Sequence, residues 1–209
     1  MKALFDVDGP LYKFMTTLTN MFLITLCWFL GSIAIVTVGA STIAACDMGL
    51  KMVKEEEGYI FKEFWKSYKS NLKQGIIMGI ITVVAYYSIY LDFELVKNMK
   101  DPSILMIIFG YLAFAFITAC TIYTFPLLAR YENTIPKTMK NSFHIFTKFF
   151  IRSVALCLCL VAENVAFNWN LTMWFLQFIL GPSGYILTIC IFARPIFDTL
   201  EEQQKNGEV

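Results

Sequence analysis

PSILMIIFGYLAFAFITACTIYTFPLLARYENT, residues 102–134, decides the fold. No Asp, Glu, Lys or Arg occurs from Pro102 to Ala129, and then Arg130, Glu132 and Asn133 arrive in quick succession. A helix needs about 20 apolar residues to cross the hydrocarbon of a bilayer, and this run exceeds that length. Residues 14–46 and 164–193 form two more runs without a charge. The 209-residue chain is 57% hydrophobic and 16% charged, where a soluble domain is about a quarter charged. The pattern is that of an integral membrane protein.

Two shorter runs complete the count. Residues 75–91 are uncharged, with Tyr86, Tyr87 and Tyr90 near one end as interfacial anchors, and residues 149–162 are interrupted only by Arg152. The expected fold is all-α: a single integral membrane domain over residues 1–209, a polytopic helical bundle with about five spans at 14–38, 75–91, 103–129, 147–165 and 172–197. The apolar stretch Gly39 to Leu50 is too short to cross before Lys51. Gly181-Pro182-Ser183-Gly184 lies inside the fifth span, and the sequence leaves open whether it splits that span into two half-helices.

Charge placement orients the bundle. With five alternating spans, thirteen of the 17 Lys and Arg residues fall on one side, between Lys51 and Lys73, between Arg130 and Arg152, and at Arg194 and Lys205. Only Lys2, Lys13, Lys97 and Lys100 fall on the other. The positive-inside rule makes the crowded side cytoplasmic, so the expected topology in a bacterial cell membrane has the N-terminus outside and the C-terminus inside. The first apolar run shows no signal-peptide signature. A net charge of +1 gives no basis for nucleic-acid binding.

FPLLARYENT then reads as a corner. Pro126 has no N–H to offer the carbonyl of Ile122, which predicts a kink. Arg130 sits where a helix C-terminus and the interface both favour a cation, and Asn133 or Thr134 can cap a new helix with Pro136 in its first turn. Pro126, Arg130, Glu132 and Asn133 are expected to serve architecture rather than chemistry. Beyond the corner, Ile135, Met139, Phe143, Phe146 and Phe150 recur at helical spacing opposite Lys137, Lys140 and Lys148. Phe61, Phe64, Trp65, Tyr68 and Leu72 do the same opposite Lys62, Lys66, Lys69 and Lys73. These predict two basic amphipathic cytoplasmic elbows, each of which rests on anionic lipid or docks a partner.

Several stretches together resemble the YesL family of bacterial membrane proteins. They are Asn20-Met21-Phe22-Leu23, Trp28, Val36-Thr37-Val38-Gly39-Ala40, Lys54-Glu55-Glu56-Glu57-Gly58-Tyr59, Phe64-Trp65-Lys66-Ser67-Tyr68, Asn71-Leu72-Lys73-Gln74 and FPLLARYENT. The similarity runs along nearly the whole chain in order and thins after about Phe150. The family has no established biochemical activity. Its genes commonly neighbour those for sugar ABC importers, so the resemblance implies a role around carbohydrate uptake.

The residues themselves offer little chemistry. His144 is the only histidine, and the six cysteines lie in apolar segments as small fillers. No Gly-rich phosphate loop is present. No catalytic residue, cofactor site or metal site is expected. The expected function is therefore non-catalytic, and the resemblance implies an accessory protein of carbohydrate uptake whose partners are the lipid bilayer and subunits of a sugar ABC importer. The alternative is a small solute permease acting alone or as an oligomer. On the accessory reading Phe61, Phe64, Trp65, Tyr68, Lys66 and Lys69 form the docking surface, because aromatic anchors rimmed by cations suit a protein contact.

Overall fold

A computed structural model describes residues 9–56, 58–99 and 103–205. Lys2 and Lys100, two of the basic residues used for orientation, lie outside them. The described chain is helical: α1 (Pro10–Gly31), a 3₁₀ turn (Ile35–Thr37), α2 (Val38–Met52), α3 (Ile60–Ser70), α4 (Leu72–Asn98), α5 (Ile104–Thr121), α6 (Thr124–Arg130), α7 (Ile135–Lys148), α8 (Phe150–Phe167) and α9 (Leu171–Lys205). Six segments among the described residues are long and apolar enough to cross a membrane: 11–31, 35–52, 72–98, 104–130, 150–167 and 171–205. Large hydrophobic side chains such as Val83, Phe109, Ile151 and Leu158 stand on their outer faces, as expected of surfaces solvated by lipid. The protein is a multi-pass membrane protein.

The sixth segment corrects the expectation for the first span. Residues 14–38 are not one helix, because the chain leaves helical geometry at Ser32 and re-enters it at Val38. Gly39 to Leu50, read as too short to cross, belongs to the centre of the bundle, where α2 touches α1, α3, α4, α6 and α9. The length rule describes helices that meet lipid, whereas α2 is shielded by its neighbours. Its small residues permit this. Gly39 lies against the backbone of Gly75 and Gly79, and a Cβ on Gly49 would stand 2.9 Å from Cys190 Sγ. Close backbone approach of this kind holds membrane helices together where no hydrophobic drive exists between them. The Gly75-x-x-x-Gly79 pair is thus used within the chain.

The additional helix also returns the chain to its starting end. Lys13 Nζ lies 3.1 Å from Glu55, just past α2, while Lys54 pairs with Asp198 at 3.8 Å and Lys148 donates to Gln203 at 2.9 Å. Both described chain ends therefore lie at one polar end of the bundle. The expectation of opposite sides depended on an odd number of spans. α9 also resolves the question at Gly181-Pro182-Ser183-Gly184: the helix runs unbroken through Pro182 and Pro195.

α3 and α7 are the two expected elbows. α7, however, buries Thr138, Ser142 and Ile145 most deeply; of the predicted stripe Ile135, Met139 and Phe146 pack against the buried clusters, whereas Phe143 and Phe150 are exposed. The reason lies in the neighbouring helix. Tyr123 N–H donates to Ser142 Oγ at 3.2 Å, and that hydroxyl donates in turn to the Ala119 carbonyl at 3.1 Å. Ser142 has inserted itself into the ladder between positions 119 and 123. Together with Pro126 it produces the break between α5 and α6, at the place where the missing proline N–H predicts one.

Candidate functional site

Two cavities lie one above the other along α2, α4 and the α5–α6 segment. The upper is an open cleft of about 720 Å³ at the level of the membrane-spanning helices, whose lining includes Trp28, Thr42, Tyr86, Thr121, Trp174 and Gln177. No Asp, Glu, Lys or Arg lines it. Its polar groups bond one another: Trp28 Nε1 donates to Thr42 Oγ1 at 3.1 Å, Tyr86 Oη lies 3.2 Å from both Thr118 and Thr121 hydroxyls, and Gln177 Nε2 donates to Tyr185 Oη at 3.2 Å. Hydroxyls keep spare lone pairs after such bonds. The cleft thus presents aromatic plates with a few oriented acceptors, the usual composition of a small-molecule site.

The lower cavity is a basin of about 970 Å³ whose lining includes Asp47, Lys51, Glu63, Lys73, Arg130 and Glu132. Lys51 is held at its wall, 2.8 Å from Glu63 and 3.6 Å from Asp47. Gln74 Nε2 donates to the Asn133 carbonyl at 3.2 Å and joins the rim of α4 to the corner. Between cleft and basin sit Ile43, Met78 and Leu128, packed together and buried. Phe125 touches this cluster from the cleft wall, and Ala129 touches it from the basin wall.

The corner residues take separate parts. Arg130, only 15% exposed at its side chain, donates through Nε and Nη2 to Glu201 at 2.8 Å and through Nη2 to Asp198 at 3.1 Å. Tyr131 Oη donates to Glu201 as well. Burial first, and then that bond, hold the Tyr131 phenol well above the usual tyrosine range, so it stays a donor. Arg194 adds a 3.4 Å approach to Asp198. This cluster fastens α6 to α9. Pro126 is buried beside the break, and Glu132 is exposed on the basin rim. Neither Asn133 nor Thr134 caps α7 through its side chain; Thr134 occupies the cap position without such a bond, and Asn133 contributes its backbone carbonyl. Asp198 and Glu201 escaped the sequence reading, although their three-residue spacing on a helix places both carboxylates on one face.

The expected docking set divides. Phe64 is 0% exposed and belongs to the main core. Tyr68 packs against the same core, its hydroxyl donating to the Gly31 carbonyl at 3.2 Å. Neither can anchor a partner, because the aromatic stripe of α3 faces α1 and α2. Phe61 is 59% exposed and, with the half-buried Trp65 and with Lys62, Lys66 and Lys69, lines a shallow groove.

Glu163 accepts from Thr188 at 3.1 Å, and Asn164 and Asn168 bond to each other near the opposite end of the bundle.

Residues 21–93 match the family model described as "Protein of unknown function, DUF624". Among curated proteins, the chain is similar to "Uncharacterized protein YesL" of Bacillus subtilis (strain 168). The two are 23% identical over 213 residues, an alignment covering 99% of this chain and 98% of that protein. No solved structure matches. The matched residues take in the second part of α1, the 3₁₀ turn, α2, α3 and most of α4; of these α2 and α4 line both cleft and basin, α1 lines the cleft and α3 the basin, and the full-length similarity extends to the corner and α9. The chain is thus similar along nearly its whole length to YesL of Bacillus subtilis and, over residues 21–93, to the DUF624 family model.

Proposed function

We propose that this protein is a non-catalytic membrane protein that takes an uncharged amphipathic solute into the intramembrane cleft. The lining of the cleft carries this reading. Trp28, Trp174, Tyr86 and Phe178 offer flat apolar faces, while the threonine hydroxyls and Gln177 offer a few hydrogen bonds. An ion would enter without a counter-charge and is disfavoured by the desolvation cost. A bare acyl chain would leave the hydroxyls without use. The pairing of Lys51 with Glu63 and of Arg130 with Asp198 and Glu201 supports a non-catalytic role, since these groups are engaged in fastening helices.

In orientation, the basic end faces the cytoplasm, and both described chain ends lie there with it. The setting implied by the resemblance is carbohydrate uptake beside a sugar ABC importer, in the bacterial cell membrane. A second reading, an accessory subunit that meets an importer through α3, draws on the exposed Phe61 and the half-buried Trp65 with their neighbouring lysines.

The test uses the chain in nanodiscs with 4-nitrophenyl β-glucoside, an uncharged amphipath that quenches indole fluorescence. Two of the four tryptophans, Trp28 and Trp174, line the cleft. Saturable quenching should persist in Trp65→Phe/Trp169→Phe and vanish in Trp28→Phe/Trp174→Phe. Quenching that rises linearly and equally in both would show simple partition into lipid and sink the reading.

A further inference from the structure

We propose that cleft and basin are the two halves of one transport path, closed in this structure by the plug of Ile43, Met78 and Leu128. The proposal rests on the cleft being the solute site and goes beyond it by assigning movement of the solute to the cytoplasmic end.

The argument begins with the stacking of the two cavities. On α2 the cleft is lined by Thr42 and the basin by Asp47; on α4 they are lined by Thr82 and Gln74; on α6 by Phe125 and Leu128. The plug residues fall in or at the edge of each interval, and Ile43 and Met78 are fully buried. Five residues of α2 and eight of α4 separate the cavity walls, which is roughly 8–12 Å of helix. The barrier is therefore one thin apolar layer, with an uncharged cavity on one side and a solvated, charged one on the other. A purely structural core would not require large cavities on both faces of a three-residue cluster.

One wall of the plug is built to stay and another to move. α2 and α4 meet backbone to backbone at Gly39, Gly75 and Gly79, and no side chain there can change rotamer to open a gap. Leu128, in contrast, stands on α6, a seven-residue helix separated from α5 at Ile122 and Tyr123. The break is bridged by two hydroxyls, Ser142 between Ala119 and Tyr123 and Thr124 to the Cys120 carbonyl. At its other end α6 is fastened by Arg130 to Asp198 and Glu201. A swing of α6 about Tyr123 would withdraw Leu128 from Ile43 and Met78 and join the two cavities. Hinges are a few element-terminal residues that absorb the change in backbone angles, and Ile122 and Tyr123 hold such a position between α5 and α6.

Liposomes loaded with β-glucosidase and carrying the protein report entry of external 4-nitrophenyl β-glucoside as released nitrophenolate. The wild type should admit the glucoside faster than protein-free liposomes, with a rate that saturates. Met78→Ala/Leu128→Ala should raise that rate several-fold. Ile43→Cys/Leu128→Cys in a cysteine-free background should lose entry on oxidation and regain it on reduction. Fluorescence quenching in the same samples reports the fold and the cleft. Saturable quenching with entry no faster than in protein-free liposomes, in wild type and plug variant alike, overturns the path and leaves the cleft standing. Loss of entry that reduction does not restore also overturns it. Absence of saturable quenching in the wild type sinks the cleft reading itself.

Discussion

Replacing Arg130 by Met tests whether the corner is architectural. The guanidinium makes two 2.8 Å bonds to Glu201 and one of 3.1 Å to Asp198, from a side chain 15% exposed. Hydrogen bonds to charged groups contribute about 1.5–3 kcal/mol each when well buried, which would suggest more than 4 kcal/mol in all. That sum is too large here. Asp198 and Glu201 are 38% and 35% exposed, so water recovers part of the loss. Asp198 also keeps Lys54 and Arg194, and Glu201 keeps Tyr131. A net cost of about 2 kcal/mol remains after this discount. For a chain of this size that corresponds to a fall in melting temperature of about 4–8 °C. The assay is thermal unfolding in mild detergent with a thiol-reactive dye, since Cys27, Cys46 and Cys190 are buried until the bundle opens. Glu201→Gln completes a double-mutant cycle, and the two losses should couple by about 1 kcal/mol. An Arg130→Met variant melting within a degree of wild type, or fully additive losses, would refute the latch.

Three further outcomes follow from the same contacts. Ser142→Ala leaves the buried Tyr123 N–H without its partner and should cost about 1–3 kcal/mol, whereas a variant as stable as wild type would mean that Pro126 alone shapes the break. Phe64→Ala empties a core position and should cost about 3–5 kcal/mol; Phe61→Ala/Trp65→Ala should cost less and, if α3 docks an importer subunit, should remove that subunit from gentle pull-downs, an effect whose absence removes the accessory reading. A cysteine at Lys13 in a cysteine-free background should react with a membrane-impermeant maleimide only after the cells are opened, because Lys13 lies beside Glu55, and labelling of intact cells would reverse the orientation.

The membrane class, the two elbows and the break before Pro126 were legible in the chain, because each follows from properties carried by neighbouring residues. Long uncharged runs state their own solvent, aromatic and lysine positions at helical spacing state an amphipathic helix, and a proline states its missing N–H. What a segment packs against is a different kind of information. Nothing local distinguishes a short apolar stretch such as 39–50 lying on the surface from one buried among five other helices. The small residues of α2 acquire meaning only when Gly75, Gly79 and Cys190 arrive from distant positions. The aromatic stripe of α3 is equally compatible with a partner, a lipid surface or the chain's own core, and tertiary packing chose the core for Phe64 and Tyr68. Arg130 could be seen as a cation at a helix end, but its carboxylate partners lie 68 and 71 positions further along. The cavities are the extreme case. Empty space between helices belongs to no residue, so cleft, plug and basin exist only once α2, α4, α6 and α9 have been brought together.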